Sequence, residues 1–297
     1  MNHTLFSSLE ETVTACFGPG VSIVRSASLS GGDINEARRL TLSTGEEVFV
    51  KSNTAANRAF FEAEEQGLRA IAAAGTIRTP AVLARGVDEG RNTSFLLMEL
   101  LRSGRRVPDF WERFGHELAA LHRADTSAFV PGFGFPSDNF IGATPQRNSP
   151  RPRWTDFFRD CRLAPQIALA ERWFDHATLD RFERLLSRLG DLLPEPEAPS
   201  LLHGDLWSGN FLVGPDGCAW LIDPAAYVGH AEADLAMTEL FGGFAPAFYA
   251  AYREANPLEP GYRERRDLYN LYHLLNHLNL FGAGYLGAVR ETLKRYG

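Results

Sequence analysis

The stretch LLHGDLWSGNFLVGPDGCAWLID, residues 201–223, holds the most informative pattern of the chain. Its second half consists of two short apolar segments, FLV and AWLI, on either side of GPDG, a turn sequence with Pro in its second position. This pattern predicts a small β-hairpin. Because paired strands bring the start of the first close to the end of the second, we expect Asn210 to lie near Asp223. Asp205 precedes Asn210 in a tight loop that contains glycine, so all three polar side chains should converge at one end of the hairpin.

These three side chains predict a site built from oxygen atoms. Two carboxylates and an amide oxygen suit Mg²⁺ rather than zinc. The spacing D-x-x-x-x-N, followed by an Asp across a hairpin, is that of a kinase catalytic loop with its metal-binding Asp. In that scheme Asp205 accepts the proton of an attacking hydroxyl, while Asn210 and Asp223 hold the metal over the nucleotide phosphates. The alternative, that the three residues only cap turns, explains poorly why they share this spacing among apolar neighbours.

The first hundred residues supply the phosphate-binding groups that such a site needs. Gly31 and Gly32 interrupt a strand-like stretch, and Lys51 ends a later predicted strand. A carboxylate on the following helix should hold the lysine in place. The candidates are Glu64, which we prefer, and its competitors Glu62 and Glu65. Neither a Walker A motif nor a complete GxGxxG is present, which argues against a P-loop NTPase.

Periodicity predicts an α+β fold with a small antiparallel-sheet lobe followed by a larger, mostly helical lobe. The predicted elements of the first lobe are helices at 4–17 and 57–74 and strands at 21–29, 34–42, 48–51, 82–87 and 94–101. We expect residues 1–101 to form a nucleotide-binding lobe that includes the hinge, and residues 102–297 to form the catalytic and acceptor-binding lobe. In the second lobe, 179–193 has the clearest helical spacing, and 125–153 is a loop with four phenylalanines.

The composition is that of a soluble globular protein. The chain has 297 residues, of which 44% are hydrophobic and 23% charged, and its net charge is -7. This acidic balance excludes a broad basic surface for nucleic acid. The three cysteines are far apart and form no CxxC pair, which favours a reducing compartment. Because the sequence shows neither a signal-peptide pattern nor a membrane span, we expect a cytoplasmic protein without nucleic-acid or membrane partners.

The motif HGDLWSGN at 203–210 resembles the aminoglycoside phosphotransferase and choline kinase branch of the protein-kinase-like fold. Further motifs narrow this resemblance to the fructosamine kinase, or ketosamine 3-kinase, family. They are GGDIN at 31–35, VFVKSN at 48–53, FEAEEQGL at 61–68, LLMELL at 96–101, GFGFPSDNFIGATPQRN at 132–148, IDPAAYVGHAEADLAM at 222–237, LFGGF at 240–244 and HLNLFGAGY at 277–285. The resemblance therefore extends over nearly the whole chain.

The resemblance implies roles for the residues singled out above. Asp205 would be the catalytic base, Asn210 and Asp223 the Mg²⁺ ligands, and Lys51 the contact to the ATP phosphates with Glu64 as its partner. Members of the family phosphorylate the 3-hydroxyl of a ketosamine, a sugar that glycation has attached to an amine. The phosphorylated adduct is then unstable and leaves, which frees the amine and makes the reaction a deglycation repair.

The resemblance also implies how the nucleotide is covered. Gly31 and Gly32 would belong to the glycine-rich loop over the phosphates. The backbone of Glu99, Leu100 and Leu101 would form the hinge that meets adenine. We therefore expect ATP and Mg²⁺ as cofactors, bound between the two lobes.

The acceptor side is less determined by the sequence. Trp207, Asp138 and Tyr272 are candidates for contact with the acceptor, although core packing is a competing interpretation for each aromatic residue. The sequence leaves open which sugar the ketosamine carries and whether the ketosamine is a small molecule or attached to a protein. It also leaves open whether the protein is a monomer or a weak dimer. Rival functions are a kinase of the same fold for an aminoglycoside, choline or a sugar, and a nucleotide-binding scaffold without catalysis.

Two histidines near carboxylates allow a metal-dependent hydrolase as a more distant alternative. His203 lies beside Asp205, and His230 is followed by Glu232 and Asp234. We prefer Asp234 as a carboxylate at the start of a helix that accepts hydrogen bonds from the backbone of the catalytic loop.

Overall fold

The computed structural model describes residues 5–29 and 35–297 of the chain. Within these ranges the strands are β1 (Leu5–Phe6), β2 (Ile23–Ser28), β3 (Glu36–Leu42), β4 (Glu47–Thr54), β5 (Val82–Asp88), β6 (Thr93–Glu99), β7 (Asn139–Ile141), β8 (Thr144–Gln146), β9 (Ser200–Leu202), β10 (Phe211–Val213), β11 (Ala219–Leu221) and β12 (Tyr227–Gly229). The α-helices are α1 (Leu9–Phe17), α2 (Arg58–Ala73), α3 (Phe110–His122), α4 (Trp154–Phe157), α5 (Ala164–Ala170), α6 (His176–Ser187), α7 (Leu189–Leu192), α8 (Ala231–Leu240), α9 (Pro246–Ala255), α10 (Tyr262–Phe281) and α11 (Leu286–Tyr296).

The N-terminal lobe is a six-stranded sheet with the order β1-β5-β6-β4-β3-β2. Its strands pair antiparallel as predicted, with one addition at the edge, where Leu5–Phe6 runs parallel to β5. The predicted first helix, at 4–17, instead included these two residues. That helix begins only at Leu9, because the Ser8 side chain accepts a hydrogen bond of 3.1 Å from the backbone N–H of Glu11 and so caps it.

The sequence VFVK at 48–51 predicts that Val48 and Val50 share one face of the strand and Phe49 and Lys51 the other; this alternation is confirmed in β4 and explains how the sheet is covered. Val48 and Val50 are buried in a cluster that includes Val13 of α1. Phe49 points to the opposite face and packs with residues of α2 such as Leu68. Side chains of a strand alternate between the two faces of a sheet, so Lys51 lies on the same face as Phe49, next to α2.

A connecting segment, residues 100–109, joins the two lobes without a helix or strand of its own. It is fastened to the β10–β11 hairpin by two backbone hydrogen bonds, from Gly104 N–H to Val213 O at 3.0 Å and from Val107 N–H to Gly217 O at 3.2 Å. A Cβ atom on Gly104 would come within 2.1 Å of the carbonyl oxygen of Gly214, so this close approach requires glycine. The predicted lobe boundary near residue 101 lies at the start of this segment.

The C-terminal lobe is built around α10, which packs against α5, α8 and α11. The predicted helix at 179–193 is present as two helices, α6 and α7, which meet at Arg188. The predicted loop at 125–153 contains the two-stranded sheet of β7 and β8. Phe133 and Phe135 of that loop are buried in the core of the lobe, as expected for lobe packing.

Residues 235–252, an apolar stretch of the sequence, form parts of α8 and α9 with a turn between them. Among the helices within residues 5–29 and 35–297, none combines the length and the apolar character needed to cross a membrane.

Candidate active site

The β10–β11 hairpin brings the ends of its strands together as predicted. Phe211 pairs with Leu221, and the N–H of Ile222 donates to the carbonyl oxygen of Asn210 at 3.1 Å. Asn210 therefore lies beside the backbone that leads directly into Asp223. The side chain of Asn210 also reaches back to Asp205, because its Nδ2 donates to the backbone oxygen of Asp205 at 2.8 Å and to its Oδ2 at 3.0 Å.

The carboxyl group of Asp205 is largely buried, and its surroundings raise its pKa. Burial raises the pKa of Asp205 to about 7, and the negative charges of Asp223 and Asp234 add to the rise, while the hydrogen bond from Asn210 opposes it. Its side chain still keeps 21% exposure, so a substrate hydroxyl can reach it. A carboxylate whose pKa lies close to the working pH is suited to act as a general base.

Asp234, in the first turn of α8, supports the catalytic loop from below. Its carboxylate accepts hydrogen bonds from the backbone N–H groups of His203 at 2.7 Å and of Gly204 at 2.8 Å. Its Oδ2 also lies 3.2 Å from Nε2 of His122. The preferred role for Asp234, to hold the backbone of this loop, is confirmed by these contacts.

The two histidines that suggested a hydrolase have other partners. His203 is buried, its Nε2 lies 2.9 Å from the carbonyl oxygen of Ile222, and its Nδ1 accepts from the N–H of Asp205 at 3.2 Å. Nδ1 of His230 lies 2.7 Å from the hydroxyl of Tyr269. In the described part of the chain, no group of three or more His, Cys, Asp or Glu side chains could hold a metal ion. Both histidines are therefore engaged in contacts within the fold.

Gly204 forms the tight turn before Asp205, and a substitution at Gly204 tests this turn. Its φ is +82°, and a Cβ atom would lie 2.1 Å from the carbonyl oxygen of Ala225. We expect Gly204→Ala to destabilise the protein by about 2 kcal/mol, because both the left-handed backbone and the contact become strained. Thermal unfolding measures this. Gly190→Ala is the matched control, because Gly190 lies in α7 with nothing within 4 Å of an added Cβ, and an unchanged Tm for Gly204→Ala would contradict the expectation.

Lys51 connects the two lobes through charged groups. Its Nζ lies 2.6 Å from Oε1 of Glu64 and also donates to Oδ1 of Asp223. Burial alone would lower the pKa of Lys51, but the two carboxylates outweigh it and raise the pKa above its ordinary value. Lys51 is therefore fully charged. Burial also raises the pKa of Glu64, while the charge of Lys51 opposes this rise. Asp223 has a left-handed backbone, with φ of +54°, which turns its side chain toward the lysine.

The structure distinguishes among the three glutamates of α2. The predicted pair of Glu64 with Lys51 is present. Glu65 is buried on a different side, where its Oε2 accepts from Nε of Arg85 at 2.8 Å. Glu62 is half-exposed and lies 3.8 Å from the same arginine. Both competitors therefore belong to an ion pair that faces β5.

Helix α2 is anchored to the C-terminal lobe near the site. A Cβ atom on Gly67 would lie 3.0 Å from Cγ of Pro224, the residue that follows Asp223. The hydroxyl of Ser137 donates to the side chain of Gln66. One turn and a half earlier, the rings of Phe60 and Phe140 lie 4.2 Å apart. These contacts fix the helix that carries Glu64 against the segment that carries Asp223.

Of the predicted nucleotide-covering residues, Gly31 and Gly32 lie outside the described residues. Glu99 ends β6, and both its N–H and its Oε1 are bonded to the backbone of Ala81, at 3.0 and 2.6 Å. Its side chain is thereby used within the lobe. Leu100 and Leu101 are half-buried at the start of the connecting segment. The contact of this backbone with adenine stays a prediction.

The three acceptor candidates differ in position. Trp207 is 38% exposed, and its ring covers Gly209. Asp138 is exposed, but its Oδ1 accepts from the backbone N–H of Asn148 at 2.7 Å. Tyr272 is 2% exposed, and its hydroxyl donates to Oε1 of Gln146 at 2.6 Å. The position of Tyr272 does not support contact with the acceptor, because its ring is covered and its hydroxyl is already bonded.

An aromatic row next to Trp207 was not recognised in the sequence. Phe241 lies 6.4 Å from Trp207 and 4.8 Å from His277, which in turn lies 5.4 Å from Phe281 and 5.0 Å from Tyr285, all between ring centroids. Phe281 is 60% exposed. The motifs LFGGF and HLNLFGAGY carry the signal, and the helical spacing of Tyr269, Tyr272, His273 and His277 favours a core face while leaving open that this face lines the acceptor pocket. Packing of the following short turn back onto α10 brings these rings beside the catalytic loop.

A second group that the sequence did not reveal holds the backbone after Asp223. Nδ2 of Asn139 donates to the carbonyl oxygen of Ala226 at 2.8 Å. Nε2 of Gln146 donates to the carbonyl oxygen of Ala225 at 3.1 Å and to Oδ1 of Asn139 at 2.7 Å. These two amides, one on β7 and one on β8, satisfy buried carbonyl groups that no strand pairs. Only the sequence motif 132–148 indicated that this region matters.

The chain forms a sheet lobe and a helical lobe, which a short segment connects, and the loop with Asp205 and Asn210 belongs to the helical lobe. This arrangement defines a phosphotransferase of the protein-kinase-like fold. A family model described as fructosamine kinase matches residues 5–296. The chain therefore belongs to the fructosamine kinase family.

Individual relatives agree with this assignment. The chain is 44% identical over 295 residues to a "Probable ketoamine kinase" of Synechocystis sp., covering 98% of this chain and 96% of that one. It is 38% identical to a protein named "Protein-ribulosamine 3-kinase, chloroplastic" from Oryza sativa subsp. indica, covering 94% and 80%. The crystal structure of a protein from Haemophilus somnus, provisionally named a fructosamine-3-kinase, superposes with a TM-score of 0.87 at 28% identity, covering 98% and 97%.

Proposed function

We propose that this protein is an ATP-dependent kinase that phosphorylates the 3-hydroxyl of a ketosamine and so repairs glycated amines. The observation that carries the proposal is the carboxyl group of Asp205, which is held by Asn210 beside the Lys51–Asp223 contact and keeps an open side. The family supplies the acceptor class, since the relatives named above are called ketoamine and ribulosamine kinases.

In the proposed reaction Asp205 receives the proton of the 3-hydroxyl. The γ-phosphoryl group passes in line from ATP to the oxygen of that hydroxyl, so the bond to the β-phosphate oxygen breaks and ADP leaves. Asp205 contributes by orienting the hydroxyl and by removing its proton as the new bond forms. The 3-phosphate then leaves as inorganic phosphate by β-elimination, and water hydrolyses the resulting imine, which releases the unmodified amine and leaves the sugar as a dicarbonyl compound.

The chemistry of the donors fits Mg²⁺. Asn210 uses its amide nitrogen on Asp205, so its amide oxygen is the atom available to a cation. The side chain of Asp223 is 43% exposed and contributes a carboxylate. Two oxygen ligands from the protein suit a magnesium ion, which completes its shell with water and phosphate oxygens and neutralises their charge. Asn210 and Asp223 would therefore hold the metal.

Lys51 and Glu64 are proposed to serve the phosphates. The charged Nζ of Lys51 touches two carboxylates, and an incoming phosphate can replace Asp223 as its partner while Glu64 keeps the side chain extended. We expect Glu64→Gln to raise the KM for ATP about 10- to 100-fold, since a charged hydrogen bond is lost. Steady-state kinetics measures this, with Glu62→Gln as the matched control because Glu62 does not touch Lys51. Equal KM values for the two variants would contradict the assignment.

The surroundings of the site favour a ketosamine over a polycationic drug. Trp207 follows Asp205 by two residues, and an aromatic row extends from its ring through Phe241, His277, Phe281 and Tyr285. Aromatic faces stack on sugar rings and on apolar amine substituents, whereas several ammonium groups call for a cluster of carboxylates. We therefore propose that this row faces the amine-bearing arm of the acceptor.

The experiment is an assay of ATP consumption with Mg²⁺ against a small panel of acceptors. It includes a ribulose-amine, a fructose-amine, an aminoglycoside, choline and buffer alone. We expect turnover with the ketosamines only. Turnover confined to another acceptor would keep the phosphotransferase and overturn the substrate, and ATP binding without any turnover would favour a scaffold.

A further inference from the structure

We propose that His273 is a positioning residue that donates a hydrogen bond from Nδ1–H to Oδ1 of Asp205 and thereby aims the carboxylate at the acceptor hydroxyl. The inference rests on the proposed function in one respect, since it concerns the base of that reaction. It adds a residue of α10, remote in sequence from the catalytic loop, to the machinery of phosphoryl transfer.

Within the described ranges, 5–29 and 35–297, only one oxygen of the Asp205 carboxyl group accepts a side-chain hydrogen bond. Its Oδ2 accepts from Nδ2 of Asn210 at 3.0 Å. Its Oδ1 faces Nδ1 of His273 across 3.9 Å. A carboxyl group with a single fixed oxygen can still rotate about the bond to its Cβ. A donor on Oδ1 would set the plane of the group, and each oxygen would keep a lone pair for the proton of the substrate.

His273 has a buried nitrogen that lacks a partner. The residue is 5% exposed, and Nδ1 has no hydrogen-bond partner among residues 5–29 and 35–297. A buried polar atom left unpaired costs about 1–3 kcal/mol. Native proteins rarely keep such an atom without a use, so its direction toward the proposed base is informative.

The imidazole is neutral, which makes the interaction a hydrogen bond rather than an ion pair. Burial, together with His277, lowers the pKa of His273 to about 3. A neutral ring carries one N–H, and the proposed hydrogen bond to the carboxylate requires that proton on Nδ1. The gap of 3.9 Å exceeds a hydrogen bond and closes with a movement of about 1 Å. Catalytic hydrogen bonds are often long without substrate and shorten when it binds.

Helix α10 gives the imidazole a fixed base. Next to His273, the hydroxyl of Tyr272 is bonded to Gln146. One turn earlier, Nδ2 of Asn270 donates to the carbonyl oxygen of Ala236 on α8 at 2.8 Å. The helix is therefore held from two sides, and the approach is made by rotation of the Asp205 side chain toward a stationary donor.

The test compares His273→Leu with His273→Asn. Leucine fills the space but donates no hydrogen bond, whereas Nδ2 of asparagine occupies nearly the place of Nδ1. We expect His273→Leu to lower kcat about 10- to 100-fold with the KM values for ATP and acceptor unchanged and Tm unchanged or higher. We expect His273→Asn to recover most of kcat while its smaller side chain lowers Tm. A purely structural role predicts the opposite ranking.

A second comparison asks whether His273 acts through Asp205. In an Asp205→Asn background, His273→Leu should cause no further loss, because residues that act as a unit are not additive. Any of three results would overturn the proposal. They are wild-type kcat in His273→Leu, equal kcat losses in His273→Leu and His273→Asn, and a raised acceptor KM with normal kcat.

The tautomer is a readout that needs no turnover. Nitrogen-15 NMR of the histidine side chains, assigned with the His273→Leu variant, should show the proton on Nδ1 of His273. A proton on Nε2 would overturn the proposal. If the wild-type enzyme acts on an acceptor other than a ketosamine, the proposed substrate fails, while the kinetic comparison is made with that acceptor.

Discussion

Asp205→Asn is expected to lower kcat by roughly 10³-fold. The amide has nearly the shape of the carboxylate but cannot take the proton of the acceptor hydroxyl. The Kd for ATP should stay almost unchanged, because Asp205 faces Asn210 and His273 rather than Lys51. Single-turnover kinetics measures the chemical step, and isothermal titration calorimetry measures nucleotide binding.

The control for this variant is Asp180→Asn, an exposed carboxylate on α6, which should leave both quantities unchanged. A turnover of Asp205→Asn comparable to that of the wild type would refute the assignment of the base. A large loss of ATP affinity with normal chemistry would instead move Asp205 to the nucleotide side of the reaction.

Asp234→Ala is expected to reduce the free energy of unfolding by about 3–5 kcal/mol, because the backbone N–H groups of His203 and Gly204 and the ring of His122 lose their buried acceptor. At a few degrees per kcal/mol, Tm should fall by roughly 10 °C. Activity should fall as well, since the same two N–H groups orient the loop that carries Asp205. Thermal and denaturant unfolding measure the change.

The effect of Asp234→Ala should also depend on pH. Burial would raise the pKa of Asp234, but the hydrogen bond and charge of His122 lower it below the ordinary value of 3.8. A carboxylate with a lowered pKa stabilises the fold above its unfolded-state pKa, and this stabilisation is lost as the pH falls through the folded-state value. The difference from wild type should therefore be constant near neutral pH and shrink only below 3.8. Glu291→Ala, on the exposed face of α11, is the control, and a similarly small effect for both variants would contradict the role of Asp234.

Residues close together in sequence could be placed without a structure. The hairpin was predictable because GPDG specifies a turn, and register then brings Asn210 to Asp223. The alternation of β4 placed Lys51 opposite the buried valines. The prediction of α2 brought a carboxylate within reach of Lys51, and the preference for Glu64 agrees with the observed pair.

Residues that act across long sequence separations were not predictable. His273 is 68 positions (273 − 205) from Asp205, and its helical spacing favours a buried face, with the acceptor pocket as an open alternative, but says nothing of Asp205. Tyr272 is the residue before His273, yet its hydroxyl is bonded to Gln146 rather than directed to the site. Successive side chains of a helix point 100° apart, so neighbouring positions can face the core and the functional site. Packing against other elements decides which position faces the site. The same limit applied to Leu5–Phe6, where two residues carry too little pattern to identify a strand.

The anchoring of α2 determines how this enzyme can be controlled. In protein kinases the lysine–glutamate pair is assembled and broken by movement of the corresponding helix, which lets phosphorylation switch activity on. Here Gly67 packs on Pro224 and Phe60 on Phe140, so an outward swing of the helix would have to separate packed surfaces of both lobes. In this structure the Lys51–Glu64 pair is therefore assembled and held by contacts that join the two lobes. We expect the supply of substrate, rather than a swing of α2, to set the output of the enzyme.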